Sequence, residues 1–234
     1  MIRRSIRTRI FQKGYKMLMF EVDKYACGAK IFIETGFFRG STTLNALHKF
    51  DKVYSCDINK KFVDRGHRVF KGPIEEGQLL VKHQKSSDFL RQIIEQLDER
   101  AVFYLDAHDI FYNGTESDLY TLGDGCPLLE ELEIISSHHI KDHTIIVDDL
   151  RMFDISESIP KIQTGENWAS ASNTTIQEIQ QRLLEINPDY SMSLDQGERI
   201  NAKVMYPGQS EPQFWMDVLI ASPCSPNSDS GEGA

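Results

Sequence analysis

Cysteine is scarce in this chain: four in 234 residues, and Cys27, Cys56, Cys126 and Cys224 form no C-x-x-C pair. That spacing supports neither a zinc site nor a disulfide framework, and it points to a reducing, cytoplasmic setting. Cys56 falls inside an apolar run, where a free thiol acts as a small hydrophobic filler. Long hydrophobic runs are missing as well. No stretch approaches the ~20 residues of a membrane-spanning helix, so no membrane partner is expected. Nor is there a basic excess. With 26 Lys and Arg against 35 Asp and Glu the net charge is −9, which argues against nucleic acid, because phosphate binding needs a basic face. Internal repeats are absent. What is present, 40% hydrophobic and 26% charged residues, is ordinary for a globular protein, and the length suits one α/β domain with a full core.

The amino terminus carries Arg3, Arg4, Arg7, Arg9, Lys13 and Lys16, with no acid before Glu21. This balance fits an organelle transit peptide. The spacing of Ile2, Ile6 and Ile10, continued by Leu18, Val22 and Tyr25, fits better with an amphipathic helix over roughly 6–27 that docks on the following domain. Short β-rich runs near 30–34, 53–57, 79–83, 102–106 and 143–148 then alternate with helical stretches near 41–49, 59–70, 87–97 and 127–138. Such alternation predicts a doubly wound α/β fold. In the last of these helices Pro127 sits in the first turn, and Leu128, Leu129, Leu132 and Ile135 face away from Glu130, Glu131 and Glu133. His138, His139 and His143 are expected to face water.

Beyond residue 149 a polar stretch at 154–173 reads either as a substrate-side loop or as a connector. Thr174 or Thr175 caps a further helix, and two closing strands are expected near 190–195 and 200–206. Residues 212–222 are apolar enough to pack, but the pattern does not place them. The tail over 223–234 is rich in Ser, Pro, Gly and acid and is expected to be disordered.

Four apolar runs stop at acids: Ile31–Ile33 at Glu34, Val53–Cys56 at Asp57, Val102–Leu105 at Asp106, and Ile145–Val147 at Asp148 and Asp149. In an open parallel sheet ligands bind beyond the carboxyl ends of the strands, so these acids gather along one rim. Between the first strand and its helix runs Glu34-Thr35-Gly36-Phe37-Phe38-Arg39-Gly40-Ser41. Gly36 permits a tight turn, and Gly40 lets a ligand approach where Ser41 or Thr42 starts the helix. The spacing E-x-G-x-x-x-G lacks the first glycine of a dinucleotide fingerprint and suits a ligand without phosphate. Asp57 lies about twenty positions on, where an acid chelates ribose hydroxyls. Ser86, Ser87 and Asp88 follow the third strand, beside an adenine, as a helix cap, or in both roles at once.

Asp106, Asp148 and Asp149 form a second cluster on neighbouring strands. Packed carboxylates repel, so the group needs a cation, a proton or a basic partner such as Arg151. Oxygen-only ligands favour Mg²⁺ over zinc. His108 is placed either to act as general base or to lie on the surface.

The stretches Tyr104-Leu105-Asp106-Ala107-His108, Cys126-Pro127-Leu128-Leu129-Glu130-Glu131-Leu132 and Ile146-Val147-Asp148-Asp149, with the glycine loop and Asp57, carry a family likeness. From about residue 28 to 206 the chain resembles the class I S-adenosylmethionine-dependent methyltransferases. More narrowly it resembles the metal-dependent macrocin and cephalosporin-hydroxylase-like O-methyltransferases. The resemblance implies a Rossmann-like, doubly wound, seven-stranded, mostly parallel sheet with the last strand antiparallel, in a domain over 28–222. It implies S-adenosylmethionine held by Glu34, Gly36, Gly40, Ser41, Asp57, Ser86, Ser87 and Asp106, and Mg²⁺ held by Asp106, Asp148 and Asp149. Asp106 and His108 are then the catalytic pair, and the partner is a small-molecule hydroxyl on a sugar or other natural product. Asp109 stands where this subgroup commonly has an aromatic, and the acids over 109–126 make the expected entrance unfavourable to a phosphorylated substrate. A nicotinamide-dependent oxidoreductase is the rival enzyme, opposed by the glycine spacing. A non-catalytic S-adenosylmethionine-binding domain is the rival without chemistry. A homo-oligomer is compatible with the sequence.

Overall fold

The structure, a computed structural model, describes residues 25–107, 126–148, 150, 153, 174–195 and 218–224. Seven strands form one sheet: β1 (Ile31–Thr35), β2 (Lys52–Asp57), β3 (Leu79–His83), β4 (Ala101–Leu105), β5 (Thr144–Val147), β6 (Ser191–Asp195) and β7 (Val218–Ser222). Their order is β3-β2-β1-β4-β5-β7-β6, with β7 antiparallel to both neighbours and the other described pairings parallel. The helices are α1 (Ser41–Ala46), α2 (Lys60–Val69), α3 (Lys71–Glu75), α4 (Ser86–Ile94), α5 (Leu128–Ser137) and α6 (Ile176–Ile186). The doubly wound, Rossmann-like sheet read from the sequence is therefore the observed one.

Central strands read as unbroken apolar runs because both faces are covered. Alternate residues of β1 divide accordingly. Ile31 and Ile33 join the core under α4, α5 and α6, whereas Phe32 joins the core under α1 and α2. Two of the helices are started by a side-chain cap. Asn59 caps α2 by accepting the Lys61 N–H (3.0 Å), and Thr175, one of the two residues expected, caps α6 through the Glu178 N–H (3.2 Å).

Several expectations are corrected. The partner of β6 is Val218–Ser222, inside the stretch the sequence pattern left unplaced. The expected strand near 200–206 lies outside the described residues. All five residues of β7 are buried, so this run belongs between two strands and not at an edge. The helix expected over 59–70 is followed at once by the short α3, and the one over 41–49 is helical only to Ala46. Glu131 was grouped with the polar face of its helix, yet it is fully buried between Leu128 and Ile135. The cysteine spacing gave no sign of a disulfide, but Cys27 and Cys224 are joined, tying the lead-in of β1 to the end of β7 across 197 residues. Such bonds persist in oxidising compartments and typically add about 2–4 kcal/mol. Nearby, Thr144 Oγ1 donates to the Tyr25 carbonyl (2.7 Å), fixing the same lead-in. Most of the expected amino-terminal helix, the 109–125 and 154–173 loops, Arg151 and the tail beyond 224 lie outside the described residues.

His138 and His143 are also buried, not solvated. The Ala101 N–H donates to His143 Nδ1 (3.0 Å), which leaves the His143 proton on Nε2 for His138 Nδ1 (2.8 Å). His138 Nε2 then donates to the Leu97 carbonyl (2.9 Å). In this network His143 keeps a single proton, on Nε2, and is neutral. Burial, helped by the neighbouring His138, holds His143 down from 6.5 to about 4. An unfolded chain takes up this proton near 6.5, but the folded protein resists until about 4. The contribution is therefore full above 6.5 and lost as pH falls through that window, on the order of 3 kcal/mol. Denaturant melts of His143→Gln are expected to show lower stability at pH 7 and a shallower loss between pH 6.5 and 4 than the unmodified protein.

Candidate functional site

The sheet order reverses between β1 and β4, and open α/β sheets bind ligands in the crevice at such a point. The loop leaving β1 is shaped by steric necessity. Gly36, at φ +87°, lies so close to β4 that a Cβ there would stand 2.2 Å from the Asp106 carbonyl oxygen. Its N–H and that of Phe37 both reach the Cys56 carbonyl, at 3.0 and 2.8 Å, pinning the loop to the tip of β2. The Phe37 ring then enters a notch between Gly40 and Gly66, where added Cβ atoms would meet it at 2.6 and 2.7 Å. Gly40, at φ +74°, is thus required by the Phe37 and Phe70 rings. The contacts that fix Gly40 among the described residues are with these packed rings. Gly40 is also the cap residue of α1, without a side-chain cap, and Ser41 opens the helix half-buried.

Four acids stand at the tips of neighbouring strands. Glu34 is buried beneath α1, where Oε2 accepts the Thr43 and Ser55 hydroxyls, each at 2.5 Å. Burial outweighs those donors and raises its carboxyl to about 7. Asp57 closes the loop from the β2 side: Oδ2 accepts the Phe38 N–H and Oδ1 the Asn59 N–H, both at 2.7 Å. Burial raises this carboxyl too, against those two backbone donors and the nearby His83. Phe38, exposed and at φ +44°, packs edge-on to Phe62 and under the Arg39 guanidinium, 5.0 Å from its ring centroid. An apolar surface beside Asp57 results.

Asp106 and Asp148 each follow the last paired residues of β4 and β5, Leu105 and Val147, so they occupy matching positions on adjacent strands. The Asp106 N–H is held by the Thr35 carbonyl (3.1 Å) and hydroxyl (3.3 Å), and the Asp148 N–H by the Leu105 carbonyl (3.1 Å). The Tyr104 hydroxyl donates to Asp148 Oδ2 within the core and fixes that carboxylate's orientation. These are the two described members of the set expected to take Mg²⁺, an ion that prefers oxygen donors. Among the described residues no group of three His, Cys, Asp or Glu is arranged as a metal site. Asp149 and His108, which complete the expected metal and catalytic sets, lie outside them.

Ser86 is the first residue of α4 and is buried; Lys85 holds the cap position without a side-chain cap bond, so the capping role weighed for Ser86 is not used. Ser87 is half-buried beside it. The residue sequence reasoning missed is Glu131. Its neighbours are the Ser86 and Thr35 hydroxyls, and burial raises it to about 7. The available signal was its spacing, three after Leu128 and four before Ile135, which puts it on the apolar stripe of α5.

No protein-family model matches this chain, and no curated protein matches it. Solved structures do. An O-methyltransferase from Bacillus cereus, in complex with S-adenosylhomocysteine, superposes with a TM-score of 0.53 at 14% identity, over 86% of this chain and 76% of that one. Spermidine synthase from Thermotoga maritima gives 0.52 at 13%, over 90% and 60%. A methyltransferase from Podospora anserina bound to S-adenosylhomocysteine gives 0.50 at 11%, over 82% and 71%. At such identities the likeness establishes the fold alone, the seven-stranded Rossmann-like one that these enzymes share.

The steric constraint at Gly36 is open to test. Gly36→Ala combines a positive φ with a backbone clash, so a loss of about 2 kcal/mol or more is expected. Thermal melts of the variant measure it. A melting curve unchanged from the parent protein would show that the loop and β4 are not in this contact.

Proposed function

We propose that the protein is an S-adenosylmethionine-dependent methyltransferase that O-methylates a small-molecule hydroxyl, of a sugar or other natural product, with help from a divalent metal. The observation carrying this reading is the convergence of the glycine loop, Asp57 and Asp106 on the β1–β4 switch point. Each Asp57 oxygen has given one lone pair to a backbone N–H and keeps another for a ribose hydroxyl. The exposed Phe38 and Ile58 offer apolar surface for a nucleobase. Thr35 fixes the backbone of Asp106, and Ser86 and Ser87 border the same crevice from α4.

The bound donor supplies a sulfonium methyl group, and the chain's task is to hold the acceptor oxygen in line with it and exclude water. In the proposed site His108 would take the acceptor's proton, and Asp106, Asp148 and Asp149 are the residues that would hold Mg²⁺, whose chemistry there would be to acidify an acceptor hydroxyl. Tyr104 keeps Asp148 turned to that task. By charge alone, the acids among residues 109–126 would favour neutral or cationic acceptors over phosphorylated ones. Spermidine synthase shares the fold, so the donor itself has to be tested.

Isothermal titration should show S-adenosylhomocysteine binding to the folded protein, with S-adenosylmethionine preferred over its decarboxylated form. No heat with any of the three ligands removes the proposal, and preference for the decarboxylated donor replaces it with aminopropyl transfer. Asp106→Asn is expected to abolish Mg²⁺-dependent turnover. Turnover that persists in excess chelator removes the metal.

A further inference from the structure

The Glu131 side chain has no exposed surface, and neither carboxylate oxygen makes a hydrogen bond of acceptable geometry. The Thr35 and Ser86 hydroxyls lie beside it and favour its charged form without offsetting its burial. A leucine at this point of α5, between Leu128, Leu132 and Ile135, would satisfy the core at no desolvation cost. An acid kept in such a place needs a purpose in the fold or in the site.

Its two neighbours belong to the proposed donor crevice. Thr35 ends β1, and its hydroxyl oxygen already accepts the Asp106 N–H, so its own proton is free to point at Glu131. Ser86 opens α4, a nine-residue helix whose cap residue contributes no side-chain acceptor, and a carboxyl there complements the helix dipole. Glu34 and Asp57 occupy the other side of the β1 tip: Glu34 is bonded to Thr43 under α1, and Asp57 to the glycine loop. Glu131 is thus the one described acid that reaches the crevice from beneath α4 and α5. The other titratable groups near it are Cys56 on β2, Asp88 in the first turn of α4, and Glu130, which pairs with Arg91 at the surface (2.9 Å).

We infer that Glu131 is a positioning residue of the donor site: from behind the sheet it orients the Thr35 and Ser86 hydroxyls, and through them the Asp106 backbone and the first turn of α4. This rests on the donor-site reading above. Glu131 touches no ligand itself. It sets the separation of two segments that border the adenosyl group.

The test compares thermal stability with S-adenosylhomocysteine affinity in Glu131→Leu, Glu131→Gln and Thr35→Val. Glu131→Leu should melt at or above the parent temperature and yet bind about tenfold more weakly, a difference of about 1.4 kcal/mol. Glu131→Gln, which keeps a carbonyl oxygen able to serve either hydroxyl, should stay within about threefold of the parent protein. Thr35→Val removes the hydroxyl between Glu131 and the Asp106 N–H while leaving Glu131 itself and the Thr35 carbonyl bond in place, and should weaken binding as Glu131→Leu does. Parent-like affinity in Glu131→Leu, or affinity and melting temperature falling together in both Glu131 variants, overturns the inference. If Glu131→Leu does not fold, unchanged affinity in Thr35→Val overturns it instead. Silence from the parent protein removes the donor-site reading and this inference with it, whereas parent binding with unaffected variants removes only the role of Glu131.

Discussion

One missing side chain governs the site. The space that a Cβ on residue 36 would fill belongs to the Asp106 carbonyl, and that contact is how the tip of β1 meets the tip of β4 at the switch point. The remainder of the loop follows from it. With Gly36 turned at φ +87°, the backbone reaches the Cys56 carbonyl, Phe37 is directed down between Gly40 and Gly66, and Phe38 is left at the surface with its N–H on Asp57. A single steric rule thereby links three strand tips and decides which aromatic packs and which faces the crevice. The left-handed Phe38 is a local cost, retained where Asp57 repays it with a charge-assisted bond.

The sheet shows which features a sequence pattern carries. β1, β2, β4 and β5 were legible because each is a short apolar run stopped by an acid, and parallel strands buried on both faces have that form. β7 was not. Its run, Val-Leu-Ile-Ala-Ser, is as apolar as the others, but its partners β5 and β6 are set by tertiary pairing, which no local period encodes. The disulfide was hidden for a similar reason: a bridge across 197 residues leaves no spacing motif. Polar residues with internal partners were misread in the same direction. His138 and His143 look like a solvated run until the Ala101 N–H and the Leu97 carbonyl are placed at either end of them. Glu131 was lost among three similar acids, although its spacing from Leu128 and Ile135 marked it.

At the rim, the positions of the strand-end acids follow from their place in sequence, but their environments do not. Glu34 and Asp57 are two steps along the same idea, acids ending adjacent strands, yet one is sealed under α1 by two hydroxyls and the other is tied to two backbone N–H groups. The difference arises from what packs above each strand tip, which is α1 in the first case and the loop itself in the second. Side chains that a sequence reading treats as equivalent ligands thus divide into one sealed in the core and one tied to loop backbone.

The opposed titrations of the buried groups follow from that construction. Glu34 and Glu131, each raised from 4.5 to about 7, bind a proton in the folded state that the unfolded chain releases near 4.5. Their contribution is present below 4.5 and is lost as pH rises through 7. His143 acts in the contrary sense, contributing above 6.5 and losing its contribution as pH falls to about 4. Between 4.5 and 6.5 the carboxyls and the imidazole pull in opposite directions, which flattens the stability curve there; above 6.5 the imidazole's contribution is complete and the carboxyls alone set the slope. The two carboxyls differ in what relieves them. Glu34 has hydroxyl donors in place, whereas Glu131 has neighbours but no formed bond, so ionisation near neutral pH bears hardest on the segment behind Thr35 and Ser86. The burial that places Glu131 behind Thr35 and Ser86 therefore makes that segment sensitive to the loss of one proton.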